Sequence, residues 1–207
     1  MPLFVGAVML TWGCKYLGLG REFEGKIVYK ASLTGPNAEM LAPLLRDQQA
    51  SFSAYHKGDY IRLEEPNRTV LVDYRQDSIT FLSPSSRQYY KASLDKMRKD
   101  QKPLKNIQQI AEEREILGHV CTGYRVIGER GDTVIYWEAK DLGLSSKASQ
   151  SYLLAPPGLD LKGVLLGLEV PIPGTPLRLV QEAEQIEPKE LDESLFQVPT
   201  GYTRIED

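Results

Sequence analysis

The segment from Ser51 to Ser93 constrains the fold more than any other part of this 207-residue chain. It contains five short stretches in which apolar and polar side chains alternate, as Ile61 and Leu63 do around Arg62. Turn-forming residues such as Lys57-Gly58-Asp59 separate them. Alternation places successive side chains on opposite faces of a strand, and links this short join only antiparallel neighbours. The segment therefore predicts a five-stranded antiparallel meander with one buried face and one wetter face.

The rest of the chain predicts further strands and a few helices. From β-branched and aromatic content and hairpin turns, strands are expected over 23–33, 116–127, 133–139, 168–172 and 177–186. The spacing of apolar residues predicts helices over 38–49 and 94–115, and a proline start predicts one over 188–197. The apolar stretch 152–166 is irregular and is expected to help cover the sheet.

Charge and cysteine content exclude two classes of protein. The formal net charge is -3 and the pI is near 5.6, which argues against nucleic acid as the main partner, because neutralising phosphates needs a basic surface. Two cysteines are too few for a disulfide-stapled scaffold. The chain is long enough to bury a sizeable core as one domain.

The N-terminus carries a targeting signal. The apolar run 3–12 is too short to span a bilayer, which needs about 20 residues, but fits a secretory signal peptide. Residues 10–14 end in Gly13-Cys14 and resemble a bacterial lipobox, although Thr11 and Trp12 depart from the usual pattern. We therefore expect residues 1–13 to be a signal peptide, 14–22 a tether lipidated at Cys14, and 23–207 a single domain. The alternative is a buried N-terminal strand or helix of a cytosolic protein.

Few residues carry reactive chemistry. The histidines, His56 and His119, belong to no cluster with metal-ligand spacing, so no metal site is expected. His119 and Cys121 are two apart on one predicted strand, which does not give a nucleophile and base the required hydrogen bond. Cys121 is expected to be a buried structural thiol. The sequence predicts a protein without catalytic residues or a cofactor.

Four short motifs resemble a known bacterial family. They are Gly118-His119-Val120-Cys121-Thr122-Gly123-Tyr124, Tyr136-Trp137-Glu138-Ala139, Gly167-Leu168-Glu169-Val170-Pro171 and Leu195-Phe196-Gln197-Val198-Pro199-Thr200-Gly201-Tyr202. The family is one of envelope proteins with a domain of unknown function, grouped by fold with the lipoprotein carriers LolA and LolB. The resemblance covers roughly residues 23–202. It implies an α+β, mainly β fold, in which a strongly curved antiparallel sheet forms a half-open barrel with helices covering its concave face. In the carriers, that hollow holds acyl chains.

The resemblance implies a hollow but not its contents. The predicted lining comprises Val70, Val72, Ile79, Phe81, Val134 and Tyr136, with Leu154 and Leu165 from the covering segment, or else the opposite face of the same strands. If the cover fits loosely, an acyl chain replaces it and gains about 0.8 kcal/mol per buried CH₂. If the cover fits tightly, the hollow is an ordinary core.

Two functions follow from these two cases. The first is a lipid-anchored envelope protein on the periplasmic side, an outer-membrane lipoprotein, that binds or carries a hydrophobic ligand such as an acyl chain or lipid. The alternative is a non-catalytic structural or protein-interaction module of the envelope with a filled core. In both cases the expected partner is the membrane, reached through the N-terminal lipid anchor, and no protein partner follows from the sequence.

Overall fold

One twelve-stranded sheet dominates the protein. The computed structural model describes residues 22–41, 43, 51–99, 101, 106–128 and 131–206. The strands are β1 (Gly25–Thr34), β2 (Phe52–Lys57), β3 (Tyr60–Glu65), β4 (Arg68–Asp73), β5 (Ser78–Ser83), β6 (Gln88–Ser93), β7 (Asn106–Ile116), β8 (His119–Ile127), β9 (Thr133–Gly143), β10 (Gly163–Pro171), β11 (Arg178–Pro188) and β12 (Thr203–Arg204). Within these described residues, three short helices accompany the strands: α1 (Ala38–Leu41), α2 (Leu94–Lys99) and α3 (Ser146–Gln150).

The sheet is curved and unclosed. Its strand order is β12-β6-β5-β4-β3-β2-β1-β11-β10-β9-β8-β7, so β12 and β7 are the two edges. The pairings are antiparallel, except that the two-residue β12 runs parallel to β6. The predicted fold class, a mainly β protein built on a curved antiparallel sheet with few helices, is confirmed. The predicted meander is confirmed as β2–β6, with its tight turns in place.

One face of the sheet carries the core. Side chains directly opposite each other on neighbouring strands share a face, so the register assigns each residue to a side. One row across β1–β6 runs Ile27, Ala54, Leu63, Val70, Phe81, Tyr90, and the next runs His56, Ile61, Val72, Ile79, Ala92. We call this the core face and the opposite side the outer face. Most residues of these two rows are buried.

The cover of the core face is only partly helical. It consists of α2, α3 and the irregular residues 151–162, and it buries Tyr152 and Leu161 almost completely. Ser145 fixes the start of α3, because its hydroxyl accepts a hydrogen bond from the Ala148 amide and donates one to Asp59 at the β2–β3 turn. The cover is therefore fastened to the sheet at the turn end of β2 and β3.

The outer face of the meander is also covered. Leu71 and Leu82 point to this face and are only 5% and 2% exposed. A single 3-10 turn, Glu193–Phe196, lies across it, and the rings of Phe196 and Tyr60 are 5.7 Å apart. The expectation of a wetter second face is thus wrong for the middle of the meander, because the C-terminal segment shields it.

Several predicted elements differ from the observed ones. The helices expected over 94–115 are a helix over Leu94–Lys99 followed by strand β7, which pairs with β8. Strand β10 begins at Gly163, so Leu165 belongs to the sheet and not to the cover. The helix expected over 188–197 is the 3-10 turn described above.

The targeting predictions lie outside the described residues. This holds for the signal peptide over 1–13 and for Cys14, and for most of the tether. Most of the second half of the helix predicted over 38–49 lies outside them as well, while α1 accounts for its beginning. Within the described ranges, no helix combines the length and the apolar character needed to cross a membrane.

Candidate functional site

The predicted hollow residues of the sheet all lie on the core face. Val70, Val72, Ile79 and Phe81 belong to the two rows that define it. The register continues through β1, β11 and β10, where Ala31 lies opposite Gln181, Gln181 opposite Leu168, and Leu168 opposite Tyr136. Val134 and Leu165 share that face by strand alternation and pairing. The structure therefore brings these side chains to one side of the sheet.

These residues do not share one open space. Val70, Val72, Ile79 and Leu165 are at most 4% exposed and belong to the packed core. Val134, Tyr136 and Leu154 are half-buried. Burial raises the pKa of Tyr136 to about 12, which is the behaviour of a phenol largely removed from water. The centre of the predicted hollow is thus filled by the protein itself.

Hydrogen bonds hold the cover at the Tyr74 end of the core face. The Leu153 amide donates to the hydroxyl oxygen of Tyr74 at 2.9 Å, and the Arg98 guanidinium of α2 donates to the Tyr152 carbonyl at 3.0 Å. Tyr74 is buried, and that burial raises the pKa of its hydroxyl. The Leu153–Tyr74 bond joins the cover to the end of β4, and the Arg98–Tyr152 bond joins α2 to the irregular segment within the cover.

A buried carboxylate holds the far end of the cover. Glu138 is 0% exposed, and its Oε1 accepts hydrogen bonds from the amides of Lys162 and Gly163 at 2.5 and 2.7 Å. Its Oε2 accepts from the Tyr124 hydroxyl at 2.8 Å, which together with burial raises the pKa of that phenol. A buried charge is tolerated only where hydrogen bonds compensate its desolvation, and three donors do so here. Glu138 therefore ties residues 162 and 163 to β9.

His56 lies under the cover as a neutral side chain. Its ring is 5.8 Å from that of Phe23 and 5.9 Å from that of Tyr152, measured between centroids. Burial lowers the pKa of His56 to about 4, because no charged partner offsets the loss of water. Its Nε2 has no hydrogen-bond partner in the described part of the chain. His56 thus packs among aromatic rings in the core.

A pocket opens at the other end of the core face. It has a volume of about 330 Å³ and lies at the ends of β4, β5 and β6 that are opposite the Tyr74 end. Its lining residues are Asn67, Arg68, Phe81, Leu82, Ser83, Ser86, Gln88, Tyr89, Tyr90 and Ile205. Phe81 is the predicted hollow residue that lines it. The pocket therefore adjoins the predicted hollow at one residue.

The pocket combines an aromatic wall with one guanidinium. The rings of Phe81 and Tyr90 lie nearly parallel, with centroids 6.1 Å apart and an interplanar angle of 15°. Arg68 donates two hydrogen bonds from Nη2 to the Glu65 carboxylate, at 2.7 and 2.9 Å. Arg68 and Phe81 share the core face because Arg68 lies two residues before Val70 on β4. This arrangement can hold an apolar group beside an anionic one.

The structure gives the contacts of the reactive residues weighed in the sequence. Burial raises the pKa of the Cys121 thiol to about 11, so little thiolate forms near neutral pH. The His119 ring nitrogen Nδ1 pairs with Asp141 at 2.7 Å, and the Cys121 sulfur faces the His119 carbonyl instead of its ring. Across the described residues, no group of three or more His, Cys, Asp or Glu side chains could hold a metal ion.

Sequence reasoning missed the polar part of the pocket and the carboxylate under the cover. Arg68 is absent from the predicted lining, although the alternation through Val70 places it on the core face. Glu138 follows Tyr136 by two residues, which is the signal that places its carboxylate on the same face. Ile205 gave no signal, because its position depends on the short β12 pairing beside β6.

The comparisons with known proteins bear on the fold. No protein-family model and no curated protein matches the chain. PNGF-II, solved in two crystal forms, aligns with 89% of this chain at 17% and 16% identity and a TM-score of 0.54. The chain spans about a third of PNGF-II, with 32% and 31% of its length covered. An uncharacterised conserved protein from Thermus thermophilus matches at 6% identity and a TM-score of 0.54, covering 89% of this chain and 90% of that one. These likenesses show the fold alone.

Two further solved structures align less well. One is a DUF1329 family protein from Desulfovibrio piger, at 13% identity and a TM-score of 0.37, covering 85% of this chain and 90% of that one. The other is an outer membrane lipoprotein-sorting protein domain from Vibrio parahaemolyticus, described as putative, at 9% identity and a TM-score of 0.36, covering 84% and 89%. At these TM-scores the likeness supports no functional argument. The resemblance to an envelope family, seen in the sequence motifs, stays a prediction.

Proposed function

We propose that this chain is a lipid-anchored protein of the bacterial envelope that reversibly binds a hydrophobic ligand, such as an acyl chain. The observation that carries the proposal is the pocket of about 330 Å³ at the open end of the core face. Its wall of Phe81 and Tyr90 continues the apolar rows of the core to the protein surface. The role is non-catalytic and involves no nucleic acid.

The size of the pocket limits the ligand. Ligand pockets measure about 300–1,000 Å³, so this one lies at the small end and suits part of one chain. Burying about eight methylenes gains about 6 kcal/mol before costs, at about 0.8 kcal/mol each. The loss of freedom on association costs about 4 kcal/mol or more. Binding through the chain alone is therefore weak, which suits a protein that must release its ligand.

The location follows from the N-terminal motif. The Gly13-Cys14 pair after an apolar run supports lipidation at Cys14 and an outer-membrane position on the periplasmic side. Labelling of bacteria with palmitate tests this part directly. We expect label in the wild type and none in Cys14→Ala. Equal labelling of both chains contradicts the anchor.

Ligand binding is tested by filling the pocket. Gln88 and Lys91 are exposed residues of β6 on opposite faces, Gln88 at the pocket and Lys91 on the outer face. We expect Gln88→Trp to abolish the lipid that co-purifies with the protein, measured by mass spectrometry of an extract. Lys91→Trp is the matched control and should retain it. Lipid absent from the wild type, or retained in Gln88→Trp, contradicts the proposal.

A second function is favoured by the filled centre of the core face. Val72 and Ile79 are each 1% exposed under a hydrogen-bonded cover, as in an ordinary structural domain. A structural or protein-interaction module of the envelope would need no ligand. If the wild type carries no lipid but is labelled by palmitate, and binds an envelope protein that Gln88→Trp also binds, this second function is the correct one.

A further inference from the structure

The pocket carries charge as well as apolar surface. Among the described residues that line it, Arg68 alone is charged, and no carboxylate is present. We propose that the ligand is an anionic amphiphile whose carboxylate or phosphate pairs with Arg68 while its chain lies along Phe81, Tyr90 and Ile205. This inference depends on the proposed function, since it names the class of hydrophobic ligand that the same pocket takes.

The apolar side of the pocket is built for an extended chain. Phe81 and Tyr90 are directly opposite each other on β5 and β6, and their rings are stacked side by side on the core face, where we call them the aromatic wall. Ile205 extends this wall past the sheet edge, because its amide donates to the Tyr89 carbonyl at 2.9 Å and so places it beside β6. Ile205 is 43% exposed, which leaves apolar surface that a chain can cover. The wall and Ile205 thus give a continuous contact surface of three side chains.

Arg68 already binds a carboxylate in the way proposed for the ligand. Its pair with Glu65 is made by Nη2 alone, so further donors of the guanidinium fork are left for a second anion. The Arg68 and Glu65 side chains are 51% and 32% exposed. Exposed ion pairs of this kind contribute little to stability, so a ligand anion displaces or joins Glu65 at small cost. In the free protein, the Glu65 carboxylate takes the place at Arg68 that the anionic group of the ligand would occupy.

Polar groups complete the mouth of the pocket. Ser83 and Gln88 face each other across β5 and β6 on the core face, and Ser86 lies in the turn between them. These side chains offer hydroxyl and amide donors but no negative charge. An anion at the mouth therefore meets these donors and Arg68, where it competes with or joins the Glu65 carboxylate.

The test compares three probes with the same chain. Dodecanoate, dodecyl phosphate and dodecanol share twelve carbons and differ in charge, and each is titrated below its aggregation limit by calorimetry. We expect one or both anionic probes to bind about tenfold more tightly than dodecanol, the effect of about 1.4 kcal/mol. Preference for dodecanoate identifies a free carboxylate as the source of the anion, and preference for dodecyl phosphate identifies a phosphate head group.

Variants assign the preference to Arg68. Arg68→Gln should bind dodecanol unchanged and lose the tenfold preference for an anion. Arg68→Lys, which keeps the charge but lacks the fork, should retain part of it. Glu65→Gln removes the competing carboxylate and should tighten anion binding by up to about fivefold. Arg75→Gln is the matched control, because Arg75 is also an exposed arginine paired with an acid at a turn, outside the pocket lining.

The outcomes separate this inference from the proposed function. If all three probes bind equally, or if Arg68→Gln keeps the preference for an anion, the inference of an anionic ligand is wrong, but the proposed binding of a hydrophobic ligand still holds. If Arg75→Gln loses the preference as Arg68→Gln does, the assignment to Arg68 is wrong. If no probe binds the wild type, both the proposed function and this inference are wrong. Unchanged thermal unfolding of each variant shows that the fold is intact.

Discussion

Replacing Glu138 tests how the cover is held over the core face. In Glu138→Ala the amides of Lys162 and Gly163 and the Tyr124 hydroxyl lose their acceptor in a site that water does not reach. Each buried donor left without a partner costs about 1–3 kcal/mol. The two amides and the hydroxyl relax in part, so we expect a loss of about 3–5 kcal/mol in the free energy of unfolding.

Graded variants separate the carboxylate from simple packing. Glu138→Gln keeps an oxygen for both amides and should lose about 1–2 kcal/mol, since its hydrogen bonds no longer carry charge. Tyr124→Phe removes one donor and should lose about 1 kcal/mol. Glu115→Ala, at an exposed position of β7, should stay within about 0.5 kcal/mol of the wild type.

Urea unfolding of the Cys14→Ala background, followed by tryptophan fluorescence and circular dichroism, measures these differences without an attached lipid. Trp137 neighbours Glu138 in sequence and reports on that part of the sheet. If Glu138→Ala loses less than about 1 kcal/mol, or no more than Glu115→Ala, then Glu138 does not hold the cover. Equal losses in Glu138→Ala and Glu138→Gln would instead assign the effect to charge alone.

Three further predictions concern single residues. The pKa of His56 is about 4 in the folded chain and about 6.5 in the unfolded chain. The neutral ring therefore makes its full contribution to the free energy of unfolding above pH 6.5, and this contribution is lost as the pH falls towards 4. We expect urea unfolding to show a loss of about 3 kcal/mol over this pH range, and no such loss in His56→Phe. In Cys14→Ala protein, Cys121 should react with a thiol reagent at pH 8 only after denaturant is added, and rapid labelling of the folded chain would contradict its burial. Leu117 has φ of 52° and is 49% exposed, so Leu117→Asn should raise the unfolding free energy by about 0.5–1 kcal/mol, whereas Val120→Asn on the adjacent strand should not; a loss in Leu117→Asn would mean that the leucine makes a stabilising contact.

The sequence predicted the meander well because its constraints are local. Short turns fix which strands pair, and alternation then fixes the face of each side chain, so β2–β6 follow without knowledge of distant contacts. Strand β7 shows the limit of such reasoning. It is an edge strand with mostly exposed side chains, rich in glutamate and glutamine, and a register shift between Gln109 and Glu113 interrupts its alternation. Pairing with β8 overrides its local preference.

The site could be predicted only in part. Alternation placed Val70, Val72, Ile79 and Phe81 on one face, but it could not tell which of them the chain itself would cover. That depends on where the irregular segment 151–162 ends, and no local pattern specifies this. The contacts that fix it, such as Leu153 with Tyr74, join residues 79 positions apart.

The two ends of the core face differ because the cover is fastened at one of them. Asp59 and Tyr74 both lie at the end of the meander where β2 turns into β3 and β4 into β5, and each accepts a hydrogen bond from the cover. The pocket lies at the other end of β4–β6, beyond the reach of these contacts. A ligand at Arg68 and Phe81 can therefore enter and leave without displacing Tyr152 or breaking the bonds to Glu138. The filled core and the open pocket are compatible features of one sheet, since the cover contacts one end of these strands and the proposed ligand would occupy the other.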